Sequence, residues 1–183
     1  NAKLFIKKTL AAVGITHPSL GIKISPEKKA EILLAGKIPS VKIFVETGTH
    51  EGWMIEKIGG KFDQIYSVEL DDRLFEMAQK RFAGRPKIRL FHGDSGQEIK
   101  KILGEHRNSA LFWLDAHGSG AITADNTPII KELEAIFAHQ IKAHFIFIDD
   151  ARHFGRETIR KIKKMTEAHG HTFQIEDGIF RLL

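Results

Sequence analysis

Short apolar runs alternate with longer amphipathic ones along most of the chain. Residues 41–45, 64–69, 87–91, 110–114 and 143–148 are rich in Ile, Val, Leu and Phe, and most lack polar alternation. Unbroken apolar runs suit strands buried on both faces. Helix patterns lie between them. Ser25-Pro26-Glu27 offers an N-cap followed by proline at the first helical position. Gly52 opens a short helix to Ile58, and Asp71 or Asp72 can cap a helix over 73–82. Ser95-Gly96-Gln97-Glu98 reads as a capping box. Thr127-Pro128 opens a helix with Ile129, Ile130, Leu133, Ile136 and Phe137 inward, and a last helix starts near Gly155 with Ile159, Ile162 and Met165 as its stripe. Near the C-terminus, strands over 171–176 and 179–183 flank Asp177-Gly178, a hairpin signal. The pattern predicts an α/β fold: a Rossmann-like, doubly wound, seven-stranded sheet, parallel except for a C-terminal antiparallel hairpin.

Two regions depart from this rhythm. Residues 1–40 read as an N-terminal helical segment, with apolar Leu4-Phe5-Ile6 and 10–13 beside Lys3, Lys7 and Lys8, expected to pack on the core of 41–183 within one domain. The stretch DAHGSGAITADNT, from Asp115 to Thr127, is long for a strand–helix connection and rich in small residues, as lids over sites often are.

Composition narrows the chemistry. The 183 residues contain no cysteine, so thiolate nucleophiles, disulfides and zinc–thiolate sites fall away. No apolar run nears the roughly 18–20 residues of a membrane span, and no signal peptide precedes the first strand. The expectation is a cytoplasmic protein, with a natural N-terminus trimmed ahead of Asn1. Net charge is +5, which raises nucleic acid as a partner. The basic residues are scattered, however, and the run Arg160-Lys161-Ile162-Lys163-Lys164 sits on a helix face that solvation explains.

The first predicted strand ends in Glu46-x-Gly48-x-x-x-Gly52, with Thr49 and His50 inside the turn. Open α/β sheets bind ligands at such strand ends. Gly48 lets backbone approach a ligand, and Gly52 lets the helix pack near the strand. Glu69 ends the second strand, where an acid accepts ribose hydroxyls. Asp94, before Ser95 at the end of the third, is placed to accept from an adenine amino group. A dinucleotide is disfavoured: His50 stands where Gly-x-Gly-x-x-Gly needs its second glycine, and Glu46 would repel phosphate. An acid beside a sulfonium or ammonium group is the simpler arrangement.

Strands four and five end in Asp115 and in Asp149-Asp150. Three carboxylates converging on one cleft repel unless a positive group joins them, and a divalent cation such as magnesium is the simplest candidate. Asp149 or Asp150 can alternatively cap the helix near Gly155.

The ordered set Glu46-x-Gly48-x-x-x-Gly52, Glu69, Gly93-Asp94 and Leu114-Asp115, followed by a terminal hairpin, resembles the class I S-adenosylmethionine-dependent methyltransferases over roughly 41–183. The acids after strands four and five resemble those of the metal-dependent, macrocin-type O-methyltransferases. The resemblance implies S-adenosylmethionine as cofactor, held by Glu46, Gly48, Thr49, Gly52, Glu69, Asp94, Ser95 and Asp115. It implies Mg2+ or another divalent cation on Asp115, Asp149 and Asp150, and a last strand inserted between strands five and six. His50 departs from the family's usual middle glycine. Where catechol-type relatives carry a lysine base this chain has Gly118, so His117 is the candidate base, with Asp115 and His153 as further catalytic candidates and Arg152 for an anionic substrate group. His92 and His144 read as structural. The expected substrate is a small hydroxylated molecule: a sugar, a glycosylated metabolite or a phenol. A homodimer would supply substrate-covering surface that so short a chain lacks. Two alternatives stay open. One is an RNA or other nucleic-acid methyltransferase, against which stands the lack of an Asn/Asp-Pro-Pro-aromatic motif. The other is a non-catalytic S-adenosylmethionine binder or scaffold.

Overall fold

A computed structural model describes residues 18–35, 40–115 and 127–183. Seven strands form one sheet: β1 Ile43–Thr47, β2 Gln64–Glu69, β3 Ile88–His92, β4 Ala110–Leu114, β5 Phe145–Ile148, β6 Phe173–Glu176 and β7 Ile179–Leu182. Their order is β3-β2-β1-β4-β5-β7-β6. β1 to β5 pair in parallel, and β7 runs antiparallel between β5 and β6. The expected architecture is therefore present, with the last strand inserted as the resemblance implied.

The strands' two-residue period sorts side chains onto two faces. Phe44, Ile65, Leu111, Trp113 and Phe147 face one side, covered by helices α1 Pro26–Ala35, α2 Trp53–Ile58 and α3 Asp72–Arg81. Val45, Tyr66, Val68, Phe112, Leu114, Ile146 and Ile148 face the other, covered by α4 Ser95–Gly104, α5 Ile129–Ala138 and α6 Arg156–Ala168. Burying a side chain such as Phe147 contributes roughly 1.5–3 kcal/mol relative to leaving it in water. α1 docks through Ala30 and Leu33, with Ser25 Oγ accepting from Lys28 N at 3.3 Å at its start.

Several local expectations shift. β1 runs two residues beyond the apolar pattern, so Glu46 and Thr47 are strand residues rather than loop residues. β3 is an edge strand with exposed positions, not a strand buried on both faces. Asp71, not Asp72, caps α3, accepting from Leu74 N at 2.9 Å. Ser95 is the first residue of α4 and Asp94 its N-cap, without a side-chain capping bond, so no capping box forms. Gly155 is the N-cap of α6; neither Asp149 nor Asp150 caps it, because a 3-10 turn at Ala151–His153 intervenes. The hairpin turn has Asp177 at φ 53° and Gly178 at φ 76°, the left-handed pair that a two-residue turn of the strands' own twist requires.

Candidate functional site

Strand order reverses between β1 and β4, so a crevice opens at their C-terminal ends. The alternation that places Phe44, Trp113 and Phe147 under α1–α3 also carries Glu46, Asp115 and Asp149 to that same face at the strand ends. Glu46 lies opposite Ser67 in the β1–β2 register and beside Trp113 in the β1–β4 register. It is 1% exposed. Ser67 Oγ donates to its Oε1 at 2.7 Å and is itself 2.6 Å from Thr49 Oγ1. Burial pushes the Glu46 carboxyl up to about 8; the Ser67 bond works against that rise and neighbouring Glu69 adds to it. Glu46 thus has no ion-pair partner among the described residues, and burial favours its neutral form.

The turn after β1 is built on left-handed backbone. Gly48, His50 and Gly52 all have positive φ, at 84°, 50° and 72°. His50, at the position the sequence marks as unusual, takes the left-handed conformation a glycine would adopt more cheaply. Its N–H donates to Glu69 Oε2 at 2.7 Å, while Leu70 N and Asp71 N donate to Oε1 at 2.9 and 3.0 Å. A carboxylate has about four acceptor positions, so backbone N–H groups occupy most of those on Glu69. Gly52 matters for a reason other than helix–strand approach: a Cβ there would lie 2.5 Å from the Phe82 ring. Asp94 is exposed at the end of β3. Sequence reasoning missed Leu70, which is 69% exposed directly after Glu69; an apolar side chain left in water at a strand end offers a surface for a flat ring.

Asp115 and Asp149 come together as expected. Asp115 N donates to Thr47 O at 3.0 Å and Asp149 N to Leu114 O at 3.1 Å, which fixes both at the strand tips. Burial, then the charge of Asp149, raises the Asp115 carboxyl well above its ordinary range, and Lys29 opposes the rise. Asp149 is 1% exposed. Its Oδ1 accepts from Asp150 N at 2.7 Å, and its Oδ2 accepts from the ammonium of Lys29, which reaches in from α1. Asp150 has a left-handed backbone, φ 49°, and faces Arg152, whose Nη2 lies 3.1 Å from its Oδ1.

The acids thus face cationic and N–H groups of the chain itself. A hard cation needs six or more oxygens, whereas both Asp149 oxygens and one Asp150 oxygen already face N–H donors. Among the described residues no group of three or more His, Cys, Asp or Glu is placed to hold a metal ion. The repulsion that called for a cation is opposed here by Lys29 and Arg152. Lys29 was missed because it lies in an amphipathic helix far from the acids in sequence.

His153 is half-exposed, with its Nδ1 3.8 Å from Asp150 Oδ2. Arg152 Nε donates to its Nε2 at 2.9 Å, so the lone pair a general base would use is engaged. His117 and the proposed lid lie outside the described residues, apart from the ends at Asp115 and Thr127. Ser95, buried, faces Glu132 of α5. Burial raises the Glu132 carboxyl to about 7 while the Ser95 and Thr47 hydroxyls lower it. Glu132 Oε1 and Thr47 Oγ1 nonetheless lack a partner at hydrogen-bonding geometry among the described residues. His92 stacks on Phe75 at 4.6 Å, and His144 Nδ1 accepts from Ala110 N at 3.1 Å. Among the described residues no helix is long and apolar enough to cross a membrane.

No protein-family model matches the chain. A ribosomal RNA small subunit methyltransferase A of Dehalococcoides mccartyi (strain CBDB1) is 33% identical over 64 residues, 35% of this chain and 22% of that protein. The chain thus spans about a fifth of the length of this curated relative. An O-methyltransferase of Bacillus cereus, solved with S-adenosylhomocysteine, superposes with a TM-score of 0.60 at 12% identity, covering 100% of this chain and 91% of that one. TomG of Streptomyces achromogenes, an O-methyltransferase of tomaymycin synthesis solved with S-adenosylmethionine, gives 0.58 at 12% identity over 100% and 89%. These likenesses establish the fold as that of the class I S-adenosylmethionine-dependent methyltransferases.

Proposed function

We propose that the chain is an S-adenosylmethionine-dependent methyltransferase that methylates a hydroxyl oxygen of a small substrate, a sugar, glycosylated metabolite or phenol. The observation that carries the cofactor half of this reading is Glu46, a buried carboxyl without a countercharge among the described residues, beside a positive-φ glycine turn. S-adenosylmethionine would bring an ammonium and a sulfonium to it and supply an electrophilic methyl group. Glu69 takes a ribose hydroxyl, Asp94 the adenine amino group, and Leu70 covers the purine face. Thr49 holds the Ser67 hydroxyl on Glu46.

In the transfer, the acceptor hydroxyl gives its proton to His117. S-adenosylmethionine, held by Glu46 and Glu69, would supply the methyl group to the acceptor oxygen in line, its C–S electrons going to sulfur to leave a thioether. Positioning supplies most of the rate. Asp115 lies at the tip of β4 and, with its raised affinity for a proton, can accept a hydrogen bond from the acceptor or hold its proton. Lys29 and Arg152 put the chain's own positive charge beside Asp149 and Asp150.

A second reading, methylation of RNA, is favoured by the partial likeness to ribosomal RNA methyltransferases and by the basic balance of the chain. It predicts strong, salt-dependent RNA binding. Calorimetric titration with S-adenosylhomocysteine tests the cofactor site first. Binding abolished in Glu69→Ala supports it; no binding to wild type leaves a scaffold. Methyl transfer to a panel of sugars and phenols, run against ribosomal RNA fragments at 50 and 200 mM salt, then separates the two acceptors.

A further inference from the structure

We infer that Lys29 is a built-in counter-cation of the cleft, doing with a tethered ammonium what a bound divalent metal does in metal-dependent relatives. Its placement is structural rather than incidental. Lys29 sits in the first turn of α1, one residue before buried Ala30, and its backbone N–H is held by Ser25 O at 3.0 Å. α1 is clamped to the sheet through Leu33, which is fully buried beside Phe44, Trp113 and Phe147. From that anchor the side chain runs over the Trp113 ring, with the ammonium 5.9 Å from its centroid. It ends on Asp149 Oδ2. Trp113 and Asp149 lie on adjacent strands, on the face that also presents Asp115. The lysine is therefore hedged by an aromatic face, a buried carboxylate and a second acid, and its side chain is only 19% exposed.

Two consequences follow. The cleft contains its own positive charge whenever α1 is docked, so assembly of the site is coupled to the N-terminal helix rather than to metal supply. The same charge offsets the repulsion between Asp115 and Asp149, which keeps both acids at the strand tips. Lys29 is thus a positioning residue: it acts through Asp149 and Asp115. The role in turnover rests on the methyltransferase reading above; the charge replacement itself does not.

Mn2+ binding, followed by the loss of its free electron paramagnetic signal and by Trp fluorescence, tests the inference apart from activity. Wild type is expected to take up no stoichiometric Mn2+ at 1 mM. Lys29→Met, which keeps the apolar stem, removes the ammonium from beside Asp149 and is expected to bind one Mn2+ at least tenfold more tightly than wild type. Lys29→Met/Asp149→Asn is expected to lose that binding again. Should Lys29→Met not fold, as judged by circular dichroism, Lys29→Gln takes its place. The wild type decides on its own as well: one Mn2+ per wild-type chain, lost in Asp149→Asn, overturns the inference. So does a folded Lys29 variant that gains no metal. Cofactor titration of the same preparations reports on the methyltransferase reading separately, because S-adenosylhomocysteine binding needs Glu46 and Glu69, not Lys29.

Discussion

Glu46 and Ser67 face each other across β1 and β2, and the serine hydroxyl is the neutral partner of a carboxyl held up to about 8. That pairing has a proton consequence. In the unbound protein near pH 7 the group is mostly protonated, whereas an incoming ammonium favours the carboxylate. Cofactor binding below pH 8 should therefore release close to one proton. Affinity for S-adenosylhomocysteine should rise by up to about tenfold per pH unit between pH 6 and 8. Calorimetry in two buffers of different ionisation enthalpy reads the proton directly. Glu46→Gln should bind on the order of ten- to a hundredfold more weakly and lose the pH dependence; a variant that keeps either would show that Glu46 does not meet the ligand. The stability sign is opposite. Because the folded value is raised, the contribution of Glu46 is complete below its ordinary value near 4.5 and is lost as pH rises through about 8.

Glu69 ties together the turns that follow β1 and β2. It accepts from the N–H groups of His50, Leu70 and Asp71. Glu69→Gln should be worse than loss of a charge, since an amide turns an N–H2 toward backbone donors. The expected outcome is destabilisation of about 1–3 kcal/mol by urea unfolding, together with loss of measurable cofactor binding. Intact stability with lost binding would mean that the three backbone bonds contribute little.

Much of this was legible in the sequence, for identifiable reasons. Strand-end acids are visible because an apolar run stops at them, so Glu46, Glu69, Asp94, Asp115 and Asp149 were found together. Asp177-Gly178 declares its turn because φ > 0 at two successive positions selects those residues. Charge partners are different. Nothing local in PEKKAEILLA says which lysine points at a strand tip some 120 residues away. The sequence points to a positive group among these acids but not to Lys29, which reaches Asp149. Glu132 escaped for the same reason: in an inward helix stripe it looks like a surface acid, and only packing of α5 against α4 buries it over Thr47 and Ser95. Gly52 was seen, but its reason, the Phe82 ring, is tertiary.

The opposite end of the sheet stores an acid sensitivity. His106, His139 and His144 cluster, with His139 Nδ1 2.8 Å from His144 Nε2 and the rings of His106 and His139 5.5 Å apart. Burial, then the neighbouring histidines, depresses His144 to about 3, and burial also lowers His106, His139 and His171. Histidines held neutral stabilise the fold fully above their unfolded value near 6.5. That contribution is lost as pH falls below it, by up to about 1.4 kcal/mol per pH unit for each group. Glu46 and Glu132 titrate with the opposite sign, so the difference between wild type and a variant is the useful quantity. His144→Gln should lose stability at pH 7, where the Ala110 N–H bond is broken. Its deficit should shrink between pH 6.5 and 5. Urea midpoints giving a constant deficit would remove the histidine from the acid response.

Gly178 and Gly84 form a matched pair for testing how the N-terminal segment is held. Both have φ of 76°, but a Cβ at Gly84 meets nothing within 4 Å whereas one at Gly178 would lie 2.3 Å from the carbonyl oxygen of Ile22. Gly178 O also accepts from Ala151 N at 2.8 Å, so the hairpin turn is wedged between the N-terminal segment and the turn that follows Asp150. Gly84→Ala should cost only the left-handed strain, about 1 kcal/mol. Gly178→Ala adds a backbone collision that no rotamer relieves, and should cost roughly 1–3 kcal/mol more. Denaturant unfolding of the two variants isolates the contact, because the backbone term cancels. Equal costs would mean that the segment at Ile22 yields freely. A larger cost at Gly178, accompanied by faster proteolysis ahead of Pro26, would show that the hairpin clamps the strand-end face from below the helix that carries Lys29.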